Sequence, residues 1–257
     1  MDISGILASF EMTAKQNHIA LLSMYASGSY ANGYYLDGIS DLDLLLIVDH
    51  ASEGLTERFL ENVEPQDTEL DLCILEESVL RHNPNSIHVR ECVMSSKLCG
   101  RLLWGADLLK SWDLPPMEEY TQRTVDMVFE FIRRAHGKSC DMRHLTYPDS
   151  DDPYFGYLVM RNGIPSTKQI ISLYTWIATA QLAKYHAAYC GCKRDCLEQA
   201  MRFLEGSFAS TLQQVYENCR TNWKYTVPVK FEDQLVLRRY CRELLKFEQD
   251  FVNEFWI

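Results

Sequence analysis

The segment GSYANGYYLDGISDLDLLLIVD, from Gly28 to Asp49, decides how the chain folds and where its chemistry lies. Its second half is a run of leucine, isoleucine and valine that starts with two aspartates, which predicts a β-strand from Asp41 to Val48. Because alternate side chains of a strand share a face, Asp41 and Asp43 point the same way, and the leucines beside them point the other way. Beyond Asp43 both faces are apolar, as in a central strand that is buried on both sides. The sequence therefore predicts a pair of carboxylates at the start of a buried strand.

Two like charges held side by side need a cation, and the donor atoms indicate which one. Carboxylate oxygens suit Mg²⁺, which proteins commonly share with the phosphates of a nucleotide. Upstream, Gly28 allows the backbone to approach a phosphate closely, and Ser29 offers a hydroxyl and a backbone N–H as donors. Each piece alone is typical of an ordinary turn or strand end. In this order, they predict metal binding by Asp41 and Asp43 and nucleotide binding by Gly28 and Ser29.

A further strand is predicted at TELDLCIL, from Thr68 to Leu75. Its alternation places Glu69, Asp71 and Cys73 on one face and apolar side chains on the other. The segment GLTERFLENV, between this strand and the previous one, predicts a helix. The order strand, helix, strand is typical of a sheet that is covered by helices.

These motifs together resemble the DNA polymerase β-like nucleotidyltransferase superfamily. The resemblance lies in the Gly28-Ser29 pair, a short spacer, and then Ser40-Asp41-Leu42-Asp43 at a strand start. It implies a third carboxylate on a neighbouring strand, at Asp71, with Glu69 as the alternative. That third acid would either complete the metal site or accept the proton of an acceptor hydroxyl.

The segment SWDLPPMEEY, which starts at Ser111, carries a Pro-Pro break that suits a connection between domains. We therefore predict a catalytic domain at 1–110 and a helical domain at 111–257. The predicted fold class is α+β, with a mixed sheet flanked by helices and followed by an α-helical bundle. An opening helix is expected to reach about Ala20, and RLLWGADL predicts a short strand at the end of the first domain.

Helical periodicity dominates the second half of the chain. A long helix is predicted with Ser166 as its N-cap and with its end at Gly191. Further helices are predicted at 194–205, 207–219 and 231–255. The segment YPDSDDPY interrupts this pattern with three aspartates, Asp149, Asp151 and Asp152, which predict a solvated loop or a surface that faces a cationic substrate.

Composition excludes several classes of protein. With 257 residues, 47% of them apolar, the chain can bury a sizeable core, and it has no apolar run long enough for a membrane span. Nine cysteines at irregular spacing and the lack of a secretion signal predict reduced thiols and a cytoplasmic location. The net charge of −11 argues against a nucleic-acid partner and favours small molecules or proteins as acceptors, cationic ones especially.

A small catalytic domain followed by a helical bundle resembles the two-domain aminoglycoside adenylyltransferases. The similarity extends to LCGRLLWGADL, from Leu98, and to CGCKRDCLEQA, from Cys190. It implies transfer of AMP from ATP, with Mg²⁺, to a hydroxyl of an acceptor such as an aminoglycoside, in a cleft between the domains. Lys193 is then expected to contact the nucleotide phosphates. Two alternatives stay open: adenylylation of a partner protein, and a non-catalytic nucleotide-binding module.

Overall fold

The Pro-Pro break separates two compact units, Met1–Leu114 and Pro115–Ile257. The computed structural model describes residues 3–63, 69–82, 87–137, 141, 152–161 and 163–256, with the backbone alone for 82 and 87–91. A proline fixes its own φ and disfavours helix at the residue before it, which suits a connection between two units. The catalytic and substrate-binding roles assigned to 1–110 and 111–257 stay predictions.

The first unit is a four-stranded mixed sheet with helices on both faces. Its elements in chain order are α1 (Ile3–Gln16), β1 (Leu21–Ala26), α2 (Gly28–Ala31), β2 (Leu42–Val48), α3 (Leu55–Glu61), β3 (Leu70–Glu76), α4 (Glu77–His82), α5 (Ile87–Cys99) and β4 (Arg101–Gly105). The strand order is β3-β2-β1-β4. β1 runs antiparallel to β2 and β4, whereas β2 and β3 are parallel.

β2 is buried on both faces, as its continuous apolar run predicts. On one face Leu44 and Leu46 pack with Phe10 of α1 and Phe59 of α3. On the other face, Leu45 and Ile47 pack against side chains from α4 and α5. This second face is the one that carries Asp41 and Asp43 at its polar end, because residues two apart in a strand share a face.

The second unit is mainly helical and also contains a short hairpin. Its elements are α6 (Met117–His136), β5 (Val159–Arg161), β6 (Ile164–Ser166), α7 (Lys168–His186), α8 (Lys193–Phe203), α9 (Ser207–Val215), a π-helical turn (Tyr216–Asn222) and α10 (Phe231–Phe255). The predicted α+β class, a mixed sheet flanked by helices and then a helical region, is confirmed. Among the described helices, none has both the length and the apolar composition needed to cross a membrane.

The predicted bounds of two helices were wrong. α7 has Thr167 as its N-cap, because the backbone of Ser166 pairs with Val159 in the hairpin. The same helix ends at His186, where Ala187 turns left-handed, and not at Gly191. The opening helix ends at Gln16 and not near Ala20. α4, α5 and the β5–β6 hairpin were not predicted.

Candidate metal centre

Three carboxylates meet at one end of the sheet in the first unit. Asp41, Asp43 and Asp71 each offer one oxygen, and these oxygens lie within 4.8 Å of one another. Asp41 and Asp43 are half-buried, and Asp71 is exposed. Carboxylates this close repel each other strongly where protein excludes water, so the arrangement favours a bound cation. Within the described residues, this is the group of aspartate, glutamate, histidine or cysteine side chains that is compact enough to hold a metal ion.

The register of two parallel strands brings the third acid to the first two. β2 and β3 pair so that Asp43 lies opposite Asp71. Asp41 immediately precedes β2 and shares the face of Asp43, as alternation predicts. The fallback residue, Glu69, is one step outside β3, where its carbonyl accepts a hydrogen bond from Leu42 N at 2.9 Å. Asp71 is in the three-carboxylate group and Glu69 is not, so the geometry favours Asp71, whose role stays a prediction.

The donor set fits magnesium. All three side chains present carboxylate oxygens, the hard ligands that Mg²⁺ and Ca²⁺ prefer over the imidazoles and thiolates of zinc and copper sites. One exposed member leaves the site open on the solvent side, where phosphate oxygens and water would complete the octahedral shell that Mg²⁺ requires. The residues present therefore fit the predicted metal.

Gly28 lies directly against this acidic group. A Cβ built on Gly28 would stand 2.1 Å from Oδ2 of Asp43, and the φ angle of Gly28 is +60°. The preceding residue is tied to the same strand, because Ser27 N donates to the carbonyl of Asp43 at 3.0 Å. The sequence indicated a glycine that lets a phosphate approach; the structure shows a glycine that makes room for a carboxylate.

The predicted Gly-Ser turn is a short helix, α2, in which Ser29 follows Gly28, the residue that lies against Asp43. Ser29 is half-buried, and its carbonyl accepts a hydrogen bond from Tyr34 N at 3.0 Å. Asn32 follows α2, and its amide donates to the carbonyl of Gly28 at 2.8 Å and to that of Cys99 at 3.2 Å. Sequence reasoning missed Asn32; the available signal was an Asn-Gly pair that starts three residues after Ser29.

A thiol pair packs next to the third acid. The thiols of Cys73, on β3, and Cys92, on α5, are hydrogen-bonded to each other. This bond lowers the pKa of Cys73 below that of a free thiol, against the opposing effects of burial and of the charge on Asp71. The same bond, together with burial, raises the pKa of Cys92. The described cysteines are all free.

The remaining predicted residues lie in or near the second unit. Lys193 is the first residue of α8, and its contact with a nucleotide stays a prediction. Asp149 and Asp151 of the predicted acidic loop lie outside the described residues. The carboxylate of Asp152 accepts hydrogen bonds from Tyr154 N at 2.8 Å and from Gly156 N at 2.7 Å, so it holds a local turn.

Comparisons with known proteins found a family model that matches part of the first unit and a solved structure that is similar over both units. Residues 10–102 match the family model described as a nucleotidyltransferase domain. No curated protein matches the chain. Among solved structures, the chain is similar to spectinomycin adenyltransferase AAD(9) from Enterococcus faecialis, a crystal structure with ATP and spectinomycin. The identity is 12%, the TM-score is 0.56, and the match covers 95% of this chain and 98% of that one. The resemblance to two-domain adenylyltransferases is thereby confirmed at the level of the fold.

Proposed function

We propose that the protein transfers AMP from ATP to a hydroxyl group of a small cationic acceptor, such as an aminoglycoside, with release of pyrophosphate. Residues 10–102, which match the nucleotidyltransferase domain model, are the proposed catalytic part. Mg²⁺ is the proposed metal. The observation that carries this proposal is the meeting of Asp41, Asp43 and Asp71 within 4.8 Å at the strand ends beside Gly28 and Ser29.

The proposed roles of the residues follow from their positions. Asp41 and Asp43 hold the metal, which would neutralise charge on the phosphates and activate the α-phosphate towards attack. Gly28 and Ser29 orient the triphosphate beside them, and Lys193 is the proposed cation from the helical unit. The acceptor oxygen attacks the α-phosphorus, a new P–O bond forms, and the bond to pyrophosphate breaks. Asp71 either completes the metal site or takes the proton of the attacking hydroxyl.

Two observations support the class of acceptor. The net charge of −11 attracts polycations and repels nucleic acid. The similar structure, AAD(9), is named as a spectinomycin adenyltransferase and was solved with ATP and spectinomycin. The match covers nearly all of both chains, so the similarity extends over the residues of both units.

The first test is pyrophosphate release from Mg²⁺-ATP with a panel of aminoglycosides that includes spectinomycin. We expect acceptor-dependent release by the wild type and a loss of at least about 100-fold in Asp41→Asn and Asp43→Asn, because each variant removes a metal ligand. Asp49→Asn is the matched control: it removes a carboxylate just beyond the other end of the same strand, where Asp49 accepts a hydrogen bond from Ala20 N at 2.8 Å. The control should keep nearly full activity.

The results of this test also distinguish the proposed function from its two alternatives. Labelling of a protein band from ATP without turnover of any small acceptor would select a protein acceptor. ATP binding without any transfer would select a non-catalytic module. Asp71→Asn assigns the third acid: loss of Mn²⁺ affinity identifies a metal ligand, whereas retained Mn²⁺ affinity with lost turnover identifies the general base.

A further inference from the structure

Asparagines follow the first three helices of the chain and make the same local bond. The side-chain amides of Asn17, Asn32 and Asn62 donate to the carbonyl four residues earlier, at 2.8, 2.8 and 2.9 Å. Each bond adds a donor to a carbonyl in the last turn of a helix, where the backbone supplies fewer partners than in the helix interior. The local bond of Asn32 is therefore a general device of this unit and says nothing of function by itself.

Asn32 differs from the other two in a second, long-range bond. Its Nδ2 also donates to the carbonyl of Cys99 at 3.2 Å, across 67 positions of sequence. Cys99 ends α5, and Gly100 follows it so tightly that an added Cβ would stand 2.3 Å from the carbonyl oxygen of Ser96. Gly100 N also donates to that carbonyl at 3.0 Å. The long-range bond therefore joins α2 to a fixed point, the junction of α5 and β4.

The same segment is fixed to the metal group at its other end. Ser27 N bonds the carbonyl of Asp43 at 3.0 Å, and the backbone of Gly28 lies against the Asp43 carboxylate. Residues 27–32 are thus attached to β2 at one end and to α5 at the other. We propose that Asn32 is a positioning residue, which holds Gly28 and Ser29 at a set distance from the three carboxylates. This inference rests on the proposed function, because it assigns the segment to nucleotide binding.

Loss of the long-range bond should displace the nucleotide-binding residues more than it weakens the fold. Asn32 is half-buried and follows a helix of a single turn, so the position of Ser29 depends on the hydrogen bonds at the two ends of the segment and on the bond from Tyr34 N to its own carbonyl. Misplacement of a binding group by about 1 Å can cost up to about 100-fold in rate. A residue that only capped the helix would change stability and leave substrate binding unchanged.

The experiment compares Asn32→Ala with Asn17→Ala and Asn62→Ala. All three variants lose the local bond, and only the first loses the bond to Cys99. We expect the KM for Mg²⁺-ATP to rise roughly tenfold in Asn32→Ala, which loses two hydrogen bonds, with a smaller change in kcat. The KM should stay within about twofold of the wild type in the controls. Thermal stability should fall in all three variants, and somewhat more in Asn32→Ala because it loses the second bond. Asn32→Asp keeps the shape but turns a donor into an acceptor, so it should behave like the alanine variant.

Other outcomes overturn the inference. An equal rise of KM in all three variants would reduce Asn32 to a helix cap, and so would an unchanged KM in Asn32→Ala. If the alanine variant does not fold, Asn32→Ser, which keeps one donor, replaces it in the same comparison. If the wild type transfers nothing, the proposed function fails, and affinity for a non-hydrolysable ATP analogue becomes the measurement. Weaker binding in Asn32→Ala than in the controls would then still support the inference, and equal binding or no binding by any form would contradict it.

Discussion

At Gly28 the backbone and the Asp43 carboxylate occupy adjoining space, which only a residue without a side chain permits. The φ angle of +60° is also one that glycine adopts readily and other residues adopt at a cost of roughly 1–2 kcal/mol. Glycine is needed here for two separate reasons, backbone conformation and the approach of a carboxylate. The two reasons can be separated because Gly33 shares the first and lacks the second.

Gly28→Ala should abolish turnover, because its Cβ would stand 2.1 Å from Oδ2 of Asp43 and force that carboxylate away from Asp41 and Asp71. Gly33→Ala is the control: its φ is +74°, and an added Cβ meets nothing within 4 Å. Both variants should lose similar stability, about 1–2 kcal/mol, in urea unfolding. We expect a loss of at least about 100-fold in kcat/KM for the first only. Equal activity in the two variants would show that the carboxylate can shift without consequence.

Elements of the second unit are joined by a buried polar trio. Oε2 of Glu248, on α10, lies 2.8 Å from Nε2 of His136, on α6, and accepts a hydrogen bond from the hydroxyl of Tyr157 at 2.6 Å. All three side chains are almost fully buried. Burial, followed by the charge of Glu248, raises the pKa of Tyr157 well above its ordinary value, so this hydroxyl stays a donor. The trio thus ties two long helices to the segment between them.

Tyr157→Phe should destabilise the second unit by about 2–3 kcal/mol, because the buried carboxyl of Glu248 loses a donor that nothing replaces. Tyr174→Phe is the matched control: Tyr174 is equally buried, and its hydroxyl donates to the neutral carbonyl of Tyr240 at 2.9 Å. That change should cost about 1 kcal/mol. Urea unfolding, followed by fluorescence, measures both losses. Equal losses would mean that the carboxyl gains little from this bond.

At the scale of the whole molecule, the excess of acidic residues sets an electrostatic preference. Lys and Arg number 25 against 36 Asp and Glu, which gives the net charge of −11. A field of this sign draws in cations and repels polyanions over distances comparable to the Debye length, about 10 Å at 0.1 M salt. In the proposed function, a bound metal ion would offset the repulsion between this surface and the phosphates of ATP.

Salt should weaken the use of a polycationic acceptor more than that of a less charged one. Raising NaCl from about 50 to about 500 mM shortens the Debye length and screens the attraction. We expect the KM for an aminoglycoside with many amines to rise several-fold, and the KM for spectinomycin, with fewer amines, to rise less. Steady-state kinetics at fixed Mg²⁺-ATP measures the difference. A KM independent of salt for both acceptors would remove charge as the basis of recognition.

Local patterns in the sequence determined much of the fold and, in the candidate site, the pair Asp41 and Asp43. Continuous apolar residues after Asp43 marked β2 as a central strand, and period-two alternation placed Asp41 and Asp43 on one face. Helical periodicity gave α10 its bounds, Phe231–Phe255. These predictions succeeded because strand alternation and helix amphipathicity are properties of neighbouring residues. The oxygen chemistry of the candidate metal ligands also follows from residue type alone.

Only the tertiary structure determined the contacts between residues that lie far apart in the sequence. The register of β3 on β2 brought Asp71, and not Glu69, to the other two carboxylates. Because Ser166 pairs with Val159 in the hairpin, it is not the N-cap of α7. The bond from Asn32 to Cys99 joins residues that are 67 positions apart in the sequence. The close approach of the Asp43 carboxylate to Gly28 was also visible only in the structure. None of these contacts has a local signature, because strand register and packing are set by residues far apart in the chain that come together only when the sheet forms.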